Sequence, residues 1–292
     1  MDCAKIIAAG AFFNGDPWDL MKNPSLITKS LPVGAILTRP SNGAEISSYA
    51  YILNRNLKEK RYVENKYLTP EFAIVDPMYT LALPMRETKN HIMSLLCQIF
   101  EIYLYDRKYN TFLQYRMAEA LFKTTIHYTK ILMTDPDNYE ARATLTWIGC
   151  LGISGLTKNR IQNNWSVHVI ENELEAAYDI PHGEAMSIIA PQWMRLILEE
   201  DTVQRFFEYS VNVWGCDRQN DMMQNARKGI EKTEDFFANV MKMPRCFEDL
   251  GIEDTFFPEI VKKVFEFSPD HTVGRTRPLS EEDVYLILLN SL

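Results

Sequence analysis

A chain of 292 residues, 46% hydrophobic and 24% charged, is long enough to bury a large core and too apolar to be disordered; its length suggests about two domains. A net charge of −8 excludes the clustered basic surface that holds phosphate backbones or anionic lipid, so neither nucleic acid nor membrane is an expected partner. The five cysteines, Cys3, Cys97, Cys150, Cys216 and Cys246, are scattered without a Cys-x-x-Cys pair, which predicts reduced thiols rather than a disulfide framework. The longest apolar run, Ile6 to Phe13, is too short to span a bilayer, and Asp2 stands where a signal peptide would carry positive charge; a cytoplasmic protein is expected.

Up to about residue 85 the pattern is mixed α/β. Strand-like runs fall at Val33–Thr38, Tyr49–Leu53 and Phe72–Val75, punctuated by turns at Asn14-Gly15-Asp16-Pro17, Pro40–Gly43 and Asp76-Pro77. From about Glu87 the period becomes helical. Ile92, Leu95, Leu96, Ile99 and Tyr103 recur at three- and four-residue spacing and predict one buried helix face. Asp135-Pro136-Asp137-Asn138 precedes a helix over Tyr139–Leu156, Asp179–Gly183 separates two more, and Pro278 with Ser280-x-x-Asp283 opens the last, for about eight or nine helices in all. No repeat or low-complexity segment interrupts this order, and a segregated α/β part followed by a helical part implies two packed domains.

Among the five histidines, only His168 and His182 sit in a suggestive setting. His168 falls inside a helix and His182 follows a proline that opens the next, so the intervening turn is able to fold the second imidazole back toward the first. Two imidazoles are a weak metal signal, and ordinary packing or surface histidines stand beside it as the alternative. Gly149, Gly152 and Gly155 recur along one helix and predict close helix packing, because a phosphate loop must join a strand to a helix N-terminus. The sequence contains no G-x-G-x-x-G, Walker or G-x-S-x-G motif.

Taken together, several stretches resemble the iron-containing alcohol dehydrogenases, in particular their butanol-dehydrogenase-like branch. Met1-Asp2-Cys3-Ala4-Lys5 is similar to the D-x-A-K that follows the family's Gly-Gly-Gly-Ser loop, and Asp16-Pro17-Trp18 to a segment soon after it. Ile36 to Glu45 is similar to the loop written T-x-P-A-T-G-S-E, and Phe72 to Pro77 with Tyr79, Leu83 and Pro84 to the strand and turn leading into the helical domain. Asp137 to Arg142, Trp165 to His168, Tyr178 to Gly183 and Arg277 to Val284 continue the match in order. The resemblance implies the dehydroquinate-synthase-like, iron-containing alcohol dehydrogenase fold, with a partial α/β dinucleotide-binding lobe over 1–85 and an all-helical metal and substrate domain over 86–292. It also implies NAD(P), a divalent iron or zinc ion, and a small aldehyde or alcohol as substrate.

The departures from the family bear on function. The family's metal ligands are an Asp and a His four apart on the first long helix, and two further His separated by fourteen positions. The second pair is His168 and His182; the first falls on Ser94 and Gln98. A further family histidine falls on Asn172, whose amide cannot relay a proton near neutral pH. The match begins where the glycine-rich turn ends, so an N-terminal lobe on the order of a hundred residues, which would hold the pyrophosphate, is expected to be missing. In the loop from Thr38 to Glu45 the second Thr and the Ser read Asn42 and Ala44. Thr38 and Lys60 match dinucleotide contacts, although Lys60 also fits a solvated charge run over Lys58–Arg61. Three functions follow as expectations. The first is a degenerate, truncated homologue that binds neither NAD(P) nor metal tightly, alone or as a homodimer or a heterodimer with an intact relative. The second is an active NAD(P)-dependent oxidoreductase whose lobe comes from an upstream segment or another chain, and the third is a helical interaction subunit.

Overall fold

The computed structural model describes residues 1–39, 43–104, 112–153, 165–266, 268, 271–274 and 277–292. The N-terminal part comprises α1 (Asp2–Gly10), α2 (Trp18–Lys22), β1 (Gly34–Leu37), β2 (Tyr49–Asn54), β3 (Glu59–Glu64) and β4 (Phe72–Val75). The three expected strands form within a residue or so of their anticipated limits. β3 was not anticipated, because Glu59-Lys60-Arg61 hides its alternation. It forms because the Asn54 side chain accepts from the N–H groups of Asn56 and Leu57, both at 3.1 Å, and closes a turn that pairs Asn54 with Glu59 and Tyr49 with Glu64. Val63 then points inward onto Ala50, Ile6, Leu20 and Leu68 in a small separate core. The wholly buried Lys5 ties α1 to β2: its ammonium donates to the carbonyls of Ser47 and Tyr49, both at 2.8 Å.

β1 and β4 pair in parallel, Gly34 opposite Phe72 and Leu37 opposite Val75. Parallel sheets are ordinarily covered on both faces. Here β4 is exposed along its whole length, with Phe72 60% and Ile74 48% accessible.

The helical part contains α3 (Met85–Tyr103), α4 (Phe112–Leu132), α5 (Tyr139–Ile153), α6 (Val167–Tyr178), α7 (His182–Leu196), α8 (Val203–Asn212), α9 (Met222–Asp235), α10 (Phe257–Glu266) and α11 (Glu281–Leu289). The described part of α5 stops short of the expected Leu156; that residue and Gly155 lie outside the described residues. A Cβ at Gly152 would lie 3.4 Å from the Leu95 side chain, an ordinary contact, so the packing at this position does not itself require a glycine. α11 opens on the expected box, with the Ser280 hydroxyl accepting from the Asp283 N–H at 3.1 Å. α3 departs from the single buried face that its spacing predicts: every residue from Ile92 to Tyr103 is buried, because α4, α5, α6 and α7 pack around it. Among the described residues no helix is long and apolar enough to cross a membrane.

Gly183 sets how closely α7 approaches α3. A Cβ at this position would lie 2.4 Å from the carbonyl oxygen of Asn90 and 2.5 Å from its Cα, and backbone cannot swing aside as a side chain can. Gly183→Ala is therefore expected to destabilise the protein by about 1–3 kcal/mol, against which the better helix propensity of alanine offsets at most ~1 kcal/mol. Thermal melts test this, and an unchanged Tm would mean that the contact is not limiting. In the N-terminal part, the exposure of β4 predicts that amides of Phe72–Val75 exchange with deuterium well before those of α7. Equal protection in a monomer would count against an uncovered sheet.

Candidate functional site

The functional side chains gather where α3, α6 and α7 meet the N-terminal part, around a cavity of about 990 Å³. Thr38, Lys60, Ser94, Gln98, His168 and His182 all line it, so residues far apart in the chain share one space. α3 presents Ser94, Gln98 and Glu101 at helical spacing, and all three are buried. One oxygen of Glu101 accepts from the N–H groups of Ser166 (2.5 Å) and Val167 (2.7 Å) and so fixes the start of α6. The other oxygen takes Nδ1 of His168 in a short contact. α6 ends at Asp179 in the left-handed conformation, φ 55°, and the extended Ile180-Pro181 link starts α7 at His182. The turn thus returns the second imidazole as its spacing predicts, with ring centroids 5.7 Å apart.

The two edges of His182 meet different surroundings. Nε2 lies 2.9 Å from the Ser94 hydroxyl. Nδ1 lies against the carboxylate of Glu171 without the alignment of a hydrogen bond. Burial, then the nearby charge of Lys60, pushes His182 well below its ordinary value and keeps it neutral. Lys60 is not on a solvated face: its side chain is 10% exposed, and its ammonium lies 2.6 Å from Glu175 and 3.3 Å from Glu171. Burial opposes that charge, but the two carboxylates outweigh it and hold Lys60 above the usual lysine range. Burial likewise pushes Glu171 and Glu175 up. Asn172 borders the same cavity one turn after His168.

These residues are a poor match for a tightly held iron or zinc ion at the two-imidazole position. The donors there are two imidazoles, the Ser94 hydroxyl and the Gln98 amide oxygen, which is buried without a hydrogen-bond partner. None is anionic, and the Ser94 hydroxyl already engages Nε2 of His182. A dinucleotide finds a partial match: Thr38 and the first turn of α1 border the cavity, whereas the ammonium of Lys60 is held by carboxylates.

Glu101, Glu171, Glu175 and His91 were not singled out from sequence. Glu171 and Glu175 carried a usable signal in their four-residue spacing, and Glu101 in its distance of seven from Ser94. His91 carried none. It lies at the cavity wall, where burial, aided by Arg39, pushes it down to about 4.

A family model described as Iron-containing alcohol dehydrogenase matches residues 1–77, and one described as Fe-containing alcohol dehydrogenase family, C-terminal, matches residues 90–292. The chain is 40% identical to NADH-dependent butanol dehydrogenase B of Clostridium acetobutylicum, over all of this chain and 74% of that relative. It is 38% identical to NADH-dependent butanol dehydrogenase A of the same organism, with the same coverage. The crystal structure of an NADH-dependent butanol dehydrogenase A from Thermotoga maritima superposes with a TM-score of 0.91 at 31% identity, covering 99% of this chain and 73% of that one.

Ser94→Asp with Gln98→His would place a carboxylate and an imidazole on the α3 face toward His168 and His182, converting a neutral donor set into one with an anion. Zinc retained after dialysis should rise, and the gain should vanish on adding His168→Ala. Near-stoichiometric zinc in the unmodified protein, lost with His168→Ala, would show that the neutral set suffices.

Proposed function

The chain belongs to the iron-containing alcohol dehydrogenase family, and within it we propose a degenerate member with little or no redox activity on its own. The observation that carries this reading is the neutral donor set: a hydroxyl and an amide, Ser94 and Gln98, face the two imidazoles where the family's pattern has an Asp and a His. Reduction of an aldehyde by a nicotinamide requires a polarised carbonyl and a hydride donor held in contact with it. Neutral oxygens supply little charge to retain the cation that does the polarising. On the cofactor side, Lys60, which matches a dinucleotide contact in the family, is paired with Glu171 and Glu175. Asn172 further removes an imidazole from beside the chemistry.

A second reading, an active NAD(P)-dependent oxidoreductase acting on small alcohols or aldehydes, draws support from what is retained. Both imidazoles face a roomy cavity, and His168 is oriented by a buried carboxylate, as metal-bound histidines commonly are.

The two readings separate by NADH and NADPH oxidation with butanal. The unmodified chain should give no turnover above background. Ser94→Asp with Gln98→His and Asn172→His should still give little. The same triple variant supplied with the part of the Clostridium relative that this chain does not match should give measurable turnover. Clear activity of the unmodified chain would overturn the degenerate reading in favour of the second.

A further inference from the structure

The β2–β3 hairpin carries different chemistry on its two faces. Ala50 and Val63, both fully buried, point into the small N-terminal core. Because strand side chains alternate, Tyr49 and Tyr51 on β2, and Tyr62 on β3 opposite Tyr51, are turned to the other face. All three border the cavity. Their rings adjoin one another, with centroids 5.1 Å apart for Tyr51 and Tyr62, 5.8 Å for Tyr49 and Tyr62, and 5.9 Å for Tyr49 and Tyr51. A cluster of aromatic rings ordinarily closes a core, whereas these are only partly buried and line open volume.

This tyrosine wall leads to the polar end of the site. Lys60, two positions before Tyr62 on the same face, holds its ammonium 5.9 Å from the Tyr51 ring centroid and 3.3 Å from Glu171, whose carboxylate lies against His182. Trp165, with its ring 4.9 Å from that of His168, adds a further aromatic surface beside the imidazoles. Aromatic faces attract cations as well as rings, but Lys60 already supplies the cation here and repels a second. Burial pushes Tyr49 and Tyr51 well above the ordinary tyrosine range, so both stay uncharged. Such a surface favours a neutral flat ring, which gains edge-to-face or offset contacts that a saturated group of equal area lacks.

We propose that Tyr49, Tyr51 and Tyr62 form a subsite for an aromatic ring, so that the alcohol or aldehyde this cavity takes is an aryl one, of the benzyl alcohol or benzaldehyde kind. Its ring lies against the tyrosines and its oxygen is directed toward Ser94 and His182. A cavity of about 990 Å³ has room for both ends. The inference rests on the cavity retaining an alcohol or aldehyde as its ligand, and it holds whether or not that ligand is turned over.

The test is binding to the full chain, followed by calorimetry or ligand-observed NMR, of benzyl alcohol, cyclohexylmethanol and butan-1-ol. Cyclohexylmethanol has the same carbon count and hydroxyl as benzyl alcohol but no π-system. Benzyl alcohol should bind about two- to tenfold more tightly than cyclohexylmethanol, and butan-1-ol more weakly than either. Tyr51→Leu should abolish the preference for the aromatic ring and Tyr51→Phe should keep it. Should Tyr51→Leu fail to fold, Tyr62→Leu must show the same loss. Equal affinities for the two ring alcohols, no binding of either, or a preference that survives both leucine substitutions would overturn the assignment. So would displacement of benzyl alcohol by nicotinamide mononucleotide, which would give the wall to a cofactor ring instead. These outcomes are read from binding alone, apart from the NADH and NADPH oxidation that separates the degenerate reading from the active one.

Discussion

The site depends on α3 being buried on every side from Ile92 to Tyr103. A helix in this position cannot leave polar side chains to solvent, so each one must find a partner in the interior or remain unsatisfied. Glu101 finds the first N–H groups of α6 and the imidazole of His168. Ser94 finds the imidazole of His182. Gln98 leaves its amide oxygen unmatched beside the cavity. Because Gly183 lets α7 approach the backbone of α3 at Asn90, these partnerships help to fix both histidines in place.

Electrostatics divide His182 between two environments. On one edge it meets neutral groups of α3; on the other it meets carboxylates of α6, with Lys60 arriving from β3. Low polarizability in such a buried setting makes each charge strongly felt, which is why the imidazole stays neutral and the ammonium stays charged. The pairing of Lys60 with α6 also joins the N-terminal part to the helical part through groups that border the cavity.

Elsewhere the two parts are joined by buried polar contacts of another kind. Arg142 of α5, 2% exposed, donates to the carbonyls of Thr80 and, at 2.7 Å, of Pro136, pinning the segment after β4 to the helical part. The Cys150 thiol lies 2.9 Å from Glu45, which brings the loop before β2 onto α5. A guanidinium so enclosed is tolerated only because backbone oxygens receive its donors. The reduced cysteines expected from spacing are thus free thiols, one of which spans the two parts.

Much of the fold was legible in the sequence because its signals are local. The helical period after Glu87, the Ser280-x-x-Asp283 box and the turn between His168 and His182 all operate over a few residues, and the family resemblance rests on short ordered segments. The sequence also identified Ser94, Gln98 and Asn172 as departures from the family's pattern. It could not reveal that α3 is enclosed on all sides, since periodicity reports only the most apolar face of a helix. Nor could it show that Lys60 pairs with Glu171 and Glu175, residues more than a hundred positions away. Sequence by itself determined which residue types occupy the site positions; tertiary structure decided which nitrogen of His182 faces which charges, because the direction of a side chain and the dielectric around it arise only when distant elements pack.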